Sequence, residues 1–252
     1  MYSKGGILEM KTFIKSVFYK FGFDLRRLNP NSNPTFQLLK ALNWFNVDLV
    51  IDVGANVGQF ASELRLVGYR GRIVSFEPIF SAYQKLLKKA SHDPMWQVYP
   101  RCAVGDKIGK VKINIAANSV SSSILPMTQS HLNAAPDGCY IDTEEAQMIT
   151  LDSVSEEILA GSKAPFLKID VQGYEWQVLN GAIQTLPKIC GILCELSLVE
   201  LYEGQKLWMD MIRWLEDKGF ALWAIQNGFT DPRNGRTLQV DAIFFRIQQQ
   251  GS

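Results

Sequence analysis

The chain has 252 residues, of which 47% are hydrophobic and 20% charged, with a formal net charge of +1. That balance suits one globular α/β domain with a large core, and it gives no electrostatic reason to expect a nucleic-acid partner. No apolar run approaches the roughly 20 residues that cross a bilayer, and lysines and arginines interrupt the N-terminal apolar residues as no signal peptide would, so a cytoplasmic location is the expectation.

Residues 1–9 read as a loose leader. From Lys11 to Leu28, bases alternate with large apolar residues, and Phe13, Ile14, Val17, Phe18 and Phe21 recur at helical spacing among Lys11, Lys15, Lys20, Arg26 and Arg27. Two readings stand for residues 11–28. One is an interfacial helix resting on anionic lipid at the inner face of a membrane. The other is a helix packing its aromatic stripe on the catalytic domain. Asn29 to Pro34 is a break, and Thr35 to Phe45 a second helix. Residues 1–46 therefore form an N-terminal helical extension, and 47–248 one domain.

Leu49 to Val53 is a continuous apolar run holding a single acid, the pattern of a strand buried on both faces of a parallel sheet. It leads into a turn carrying Asp52, Gly54, Asn56 and Gly58, then a helix from Gln59 to Val67 stopped by Gly68. Asn is the non-glycine residue that best tolerates a left-handed backbone. The next strand, Arg72 to Phe76, closes in Glu77-Pro78, an acid placed to accept both hydroxyls of a ribose. A dinucleotide turn would carry more glycines and would not set Asp52 against a pyrophosphate. An acid there suits an ammonium group such as the amino-acid end of S-adenosylmethionine, which favours methyl transfer over hydride transfer. A nicotinamide-dependent oxidoreductase and a non-catalytic cofactor-binding module are the competing readings.

Ile79 to Ala90 is a lysine-rich helix and Trp96 to Tyr99 a third strand. Cys102-Ala103-Val104-Gly105-Asp106 is a reversal of the kind that lies beside an adenine, and Lys110 to Ala116 a half-exposed strand. Residues 117–146 are polar and without periodicity; a lid or substrate loop is favoured there over disorder. Gln147 to Thr150 is a short strand, and Ser153 to Ala160 a helix. A strand from Phe166 to Asp170, a helix from Gly173 to Ala182, a strand from Gly191 to Glu195 and an amphipathic helix from Lys206 to Lys218 follow. The strands Phe220 to Ile225 and Val240 to Ile247 lie too close in sequence for a helical crossover and should pair antiparallel. Residues 248–252 are a polar tail. The four cysteines, Cys102, Cys139, Cys190 and Cys194, show no framework spacing. With His92 and His131 as the sole histidines, a His- or Cys-based metal site is not expected.

The motifs Val50-Ile51-Asp52-Val53-Gly54-Ala55-Asn56-Val57-Gly58 and Phe76-Glu77-Pro78 resemble the first two motifs of the FkbM family of methyltransferases. Thr150-Leu151-Asp152-Ser153, Leu167-Lys168-Ile169-Asp170-Val171-Gln172-Gly173-Tyr174-Glu175 and Val178-Leu179-Asn180-Gly181-Ala182 are similar to its later ones, in the same order. The resemblance spans roughly residues 48 to 200. It implies a Rossmann-like class I methyltransferase fold, a mostly parallel seven-stranded sheet with one antiparallel strand, and S-adenosylmethionine as cofactor. It further implies O-methylation of a sugar hydroxyl in a glycan or glycoconjugate, or of a secondary-metabolite alcohol. The N-P-P-[YF] motif of amino-methylating nucleic-acid enzymes is replaced by Asp170-Val171-Gln172-Gly173.

Ligands of open α/β sheets bind outside the C-terminal strand ends, where four acids are expected: Asp52, Glu77, Asp170 and Glu195. The cofactor set is Asp52, Gly54, Asn56, Gly58, Glu77, Pro78, Cys102 and Ala103. Asp170 is the expected general base, with Glu195 beside it and His131 as the alternative base. Lys168 lies on the same strand face as Asp170, to pair with it or to bind substrate, and Tyr174 and Glu175 complete the substrate set. Glu175 has the second reading of serving its helix dipole. No metal ligand is assigned; a divalent cation between Asp170 and Glu195 is the alternative mechanism.

Overall fold

The structure is a computed structural model, and it describes residues 4–23 and 29–247. Arg26, Arg27 and the tail 248–252 lie outside the described residues, as do positions 1–3 of the expected leader. In place of a leader reaching to residue 9, helix α1 already spans Lys4–Lys20. Helix α2, Pro34–Trp44, is capped by Asn33, whose side chain accepts from the Phe36 N–H, with Pro34 at a position where its missing N–H costs nothing.

Seven strands form the main sheet: β1 Leu49–Val53, β2 Arg72–Phe76, β3 Trp96–Val98, β7 Pro165–Ile169, β8 Gly191–Ser197, β9 Ala221–Asn227 and β10 Gln239–Phe245. Their order is β3-β2-β1-β7-β8-β10-β9. β10 runs antiparallel to both neighbours and the other pairs are parallel. This is the Rossmann-like class I methyltransferase sheet that the sequence led us to expect.

Because side chains alternate across a strand, β1 sends Leu49, Ile51 and Val53 to one face and Val50 and Asp52 to the other. The first face is covered by α6 Leu151–Leu159, α7 Glu175–Asn180 and α8 Trp208–Asp217; the second by α2, α3 Gln59–Val67 and α4 Phe80–Ala90. The same parity puts Ser75, Lys168, Glu195 and Asp241 on the second face with Asp52. Register then sets Asp52 opposite Ser75 and Lys168, and Glu195 opposite Asp241. A polar row therefore crosses the sheet at its C-terminal edge.

The segment 117–146 departs from the expectation of an aperiodic loop. It contains α5 Gln129–Ala134 and most of a ten-residue strand, β6 Tyr140–Ile149, which absorbs the short strand expected at Gln147. With β4 Ala103–Val104 and β5 Gly109–Ala116, β6 builds a second sheet of order β4-β6-β5. The physical reason is that β6 buries little besides Ala146 and Met148, so it carries almost no hydrophobic period. It is held instead by antiparallel backbone pairing along β5 and by the ion pairs Lys110–Glu145 and Arg101–Glu144.

Candidate active site

A cavity of about 490 Å³ opens at the C-terminal ends of β1, β2, β7 and β8. Its floor is the turn after β1. Gly54 has φ +78°, and a Cβ there would lie 1.8 Å from the Asp170 carbonyl oxygen, so only glycine lets the β1 turn abut the end of β7. Asn56 takes φ +48° and presents a buried Oδ1 that no protein donor reaches. Glu77 bridges this turn to the next loop: its carboxylate accepts from the Asn56 N–H at 2.7 Å and the Ile79 N–H at 2.8 Å. Burial outweighs these bonds and pushes the Glu77 carboxyl up to about 7. Pro78, Cys102 and Ala103 line the same end.

The other end gathers Asp170, Glu195, His131, Gln172, Gln239, Phe229 and the loop from Asn118 to Ser123. Gln172 organises it. Its Nε2 donates to Asp170 Oδ1 at 2.9 Å and to Glu195 Oε2 at 3.0 Å, while its Oε1 accepts from the Tyr202 hydroxyl at 2.7 Å. Gln239 Nε2 adds a second bond to Glu195 Oε2 at 2.7 Å. Burial, and then the nearby Asp170, raise the Glu195 carboxyl well above the usual carboxylate range. Asp170, just past the end of β7 and half-exposed, faces the cavity. His131, on α5, is buried against the rings of Tyr202 and Phe229, and burial lowers its basicity; its Nδ1 has no protein partner.

Four expected residues stand away from the cavity wall. Asp52 is fully buried, with its carboxylate 3.1 Å from Lys168 Nζ and accepting from Ser75 Oγ at 3.1 Å. Gly58 has φ +80° and backs onto Trp96 and Leu86, so its lack of a side chain serves helix packing. Tyr174 packs on Ala103 and Met148. Glu175 is buried and accepts from the Val171 and Gly173 N–H groups at 3.0 and 3.1 Å, fixing the turn that carries Gln172. Lys168 reaches the wall, but its ammonium is spent on Asp52, on Asp170 at 3.6 Å and on the Gly54 carbonyl at 2.9 Å. Burial opposes that charge, yet Asp52 and Asp170 outweigh it and hold the amine above the usual lysine range.

Sequence reasoning assigned no role to Gln172, Gln239, Tyr202 or Phe229. Gln172 stood inside a quoted motif, two positions past Asp170, and that was the one available signal. Among the described residues, no group of three or more His, Cys, Asp and Glu side chains is arranged to hold a metal ion. The nitrogen joining Asp170 and Glu195 is an amide donor, which binds carboxylates and offers a cation nothing.

A doubly wound sheet with one antiparallel strand, a glycine turn under the cavity and an acid closing β2 define a class I, S-adenosylmethionine-dependent methyltransferase. The residues fit that cofactor: Asn56 Oδ1 is an unused buried acceptor for an ammonium, and Glu77, the acid closing β2, is on the cavity wall. The chain matches the methyltransferase FkbM domain over residues 52–222 and belongs to that family. It is similar to AglP, a hexuronic acid methyltransferase of Haloferax volcanii, with 22% identity over 192 residues, covering 71% of this chain and 72% of that protein. Among solved structures, magnesium protoporphyrin IX methyltransferase of Synechocystis PCC 6803 with bound SAM aligns at TM-score 0.45 and 11% identity, covering 94% of this chain and 97% of that one. TehB of Haemophilus influenzae aligns at TM-score 0.46 and 8% identity, covering 84% and 62%.

Proposed function

We propose that the chain moves the methyl group of S-adenosylmethionine to a hydroxyl of a sugar in a glycan or glycoconjugate, or of a small-molecule alcohol, with Asp170 as general base. The observation that carries this reading is the Asp170–Gln172–Glu195 arrangement at the end of β7, the strand paired with β1. When bound, S-adenosylmethionine supplies an electrophilic methyl carbon on a positively charged sulfur. Asp170 takes the hydroxyl proton as the acceptor oxygen bonds to that carbon, and the products are a methyl ether and S-adenosylhomocysteine. Gln172 donates to both carboxyl groups and so holds Asp170 and Glu195 apart and in place. Gly54, Asn56 and Glu77 are the proposed cofactor contacts, with Pro78, Cys102 and Ala103 around the adenine.

The cavity favours an uncharged ring over a uronate. Among the described residues lining it, Lys168 is the one lysine or arginine, and it is already paired. Burial lowers the basicity of His131, and Glu63, Glu77, Asp170 and Glu195 are on the wall. A sugar carboxylate would enter with no free cation to meet it. The test is transfer of radiolabelled methyl groups to neutral glycans, to uronic-acid glycans and to small-molecule alcohols. Labelling of a neutral sugar or alcohol hydroxyl is expected. Labelling confined to nucleic acid or protein would refute the assignment, and cofactor binding without any transfer would favour a non-catalytic module.

A further inference from the structure

From Thr12 onward, helix α1 leaves its side chains largely uncovered. From Thr12 to Phe23 no residue is buried; Val17 is half-covered and the rest are exposed, including Phe13 at 68%, Phe18 at 43%, Phe21 at 76% and Phe23 at 63%. At about 100° per residue, Phe13, Val17, Ile14 and Phe18 fall within an arc of about 140°. Lys15 and Lys20 flank the two borders of that arc, and Thr12, Ser16 and Tyr19 take the far side. The helix ends in a reversal in which the Phe23 and Gly22 N–H groups bond the Phe18 and Tyr19 carbonyls, with Gly22 at φ +80°. That reversal sets Phe21 and Phe23 just past the apolar stripe.

We infer that α1 is a docking element for an anionic lipid surface, lying in the plane of the interface with its aromatic arc in the acyl region. The partner follows from charge. The sequence of α1 holds four lysines and one acid, Glu9, while the whole chain is nearly neutral at +1. This local positive charge is complementary to a negative surface. Lysines at the borders of an apolar arc lie where their stems can cover apolar surface while the ammonium groups reach headgroup phosphates. Among the described residues of α1, none lines the cavity.

Vesicle co-sedimentation tests this with the full chain, using vesicles of phosphatidylcholine alone and of an equal mixture with phosphatidylglycerol. Binding to the anionic vesicles, weakened by salt and absent from the neutral ones, is expected. Phe13→Glu with Phe18→Glu should abolish it. Lys15→Glu with Lys20→Glu, which touches only exposed charge, should weaken it by about tenfold or more. Both variants should keep the parent's S-adenosylhomocysteine affinity, which separates lost docking from lost folding. No binding to anionic vesicles, or equal binding to neutral ones, overturns the inference. A dimer that depends on Phe13 and Phe18, with no vesicle binding, also overturns it and assigns the arc to a protein partner.

Discussion

Replacing Lys168 by methionine separates two roles for that residue, strut and substrate ligand. Methionine keeps the buried stem, so little cavity forms and the cost is electrostatic. Lys168 is 4% exposed and Asp52 fully buried; the mutation leaves the Asp52 carboxylate facing Ser75 Oγ as its one remaining polar partner. Removing one partner of such a pair costs about 3–5 kcal/mol. For a chain of this size that is a fall in Tm of about 6–20 °C. The double variant Asp52→Asn with Lys168→Met should recover most of the loss. Urea and thermal unfolding of the four proteins of the cycle make the measurement, with calorimetric titration of S-adenosylhomocysteine alongside. A Lys168→Met protein within about 1 kcal/mol of the parent, or a double variant no better than the single, would refute the strut. A raised acceptor KM at unchanged stability would return Lys168 to the substrate.

Asp170→Asn keeps shape and loses basicity, so turnover should drop by about 10²–10⁴-fold with S-adenosylhomocysteine affinity nearly unchanged; turnover within a few-fold of the parent would make Asp170 structural. Glu77, with its carboxyl near 7, should bind ribose hydroxyls better when ionised; affinity for S-adenosylhomocysteine should rise from pH 6 to pH 8, and a Glu77→Gln protein should show no such rise. The pH dependence of stability should have an unusual sign. Glu77 and Glu175 titrate near 7 and Asp241 near 6, each raised by burial, so the folded chain holds protons that the unfolded chain has released. Their contribution is complete below the ordinary carboxylate pKa and is lost as pH rises to about 7. The ligand-free protein should thus melt higher near pH 5 than near pH 7.5, and scanning calorimetry showing the reverse would sink the argument.

The glycine turn, the acid closing β2, the buried strands and the antiparallel close of the sheet were legible in the chain itself. Each is a local matter: continuous apolar runs, a left-handed asparagine, a link too short for a crossover. Tertiary structure decided the rest. β6 became a strand because β5 offered it a partner, not because its own residues alternate. The burial of Asp52 in an ion pair came from register, which sets it opposite Lys168. Gln172, Gln239 and Tyr202 gained their places through bonds between residues far apart in sequence, a pairing that no local pattern encodes. The exposure of Phe13 and Phe18 was equally beyond the sequence, since an aromatic stripe with lysines suits a covered and an open helix alike. Burial and partnership of a polar side chain are properties of its neighbours, and those are fixed only once the chain has folded.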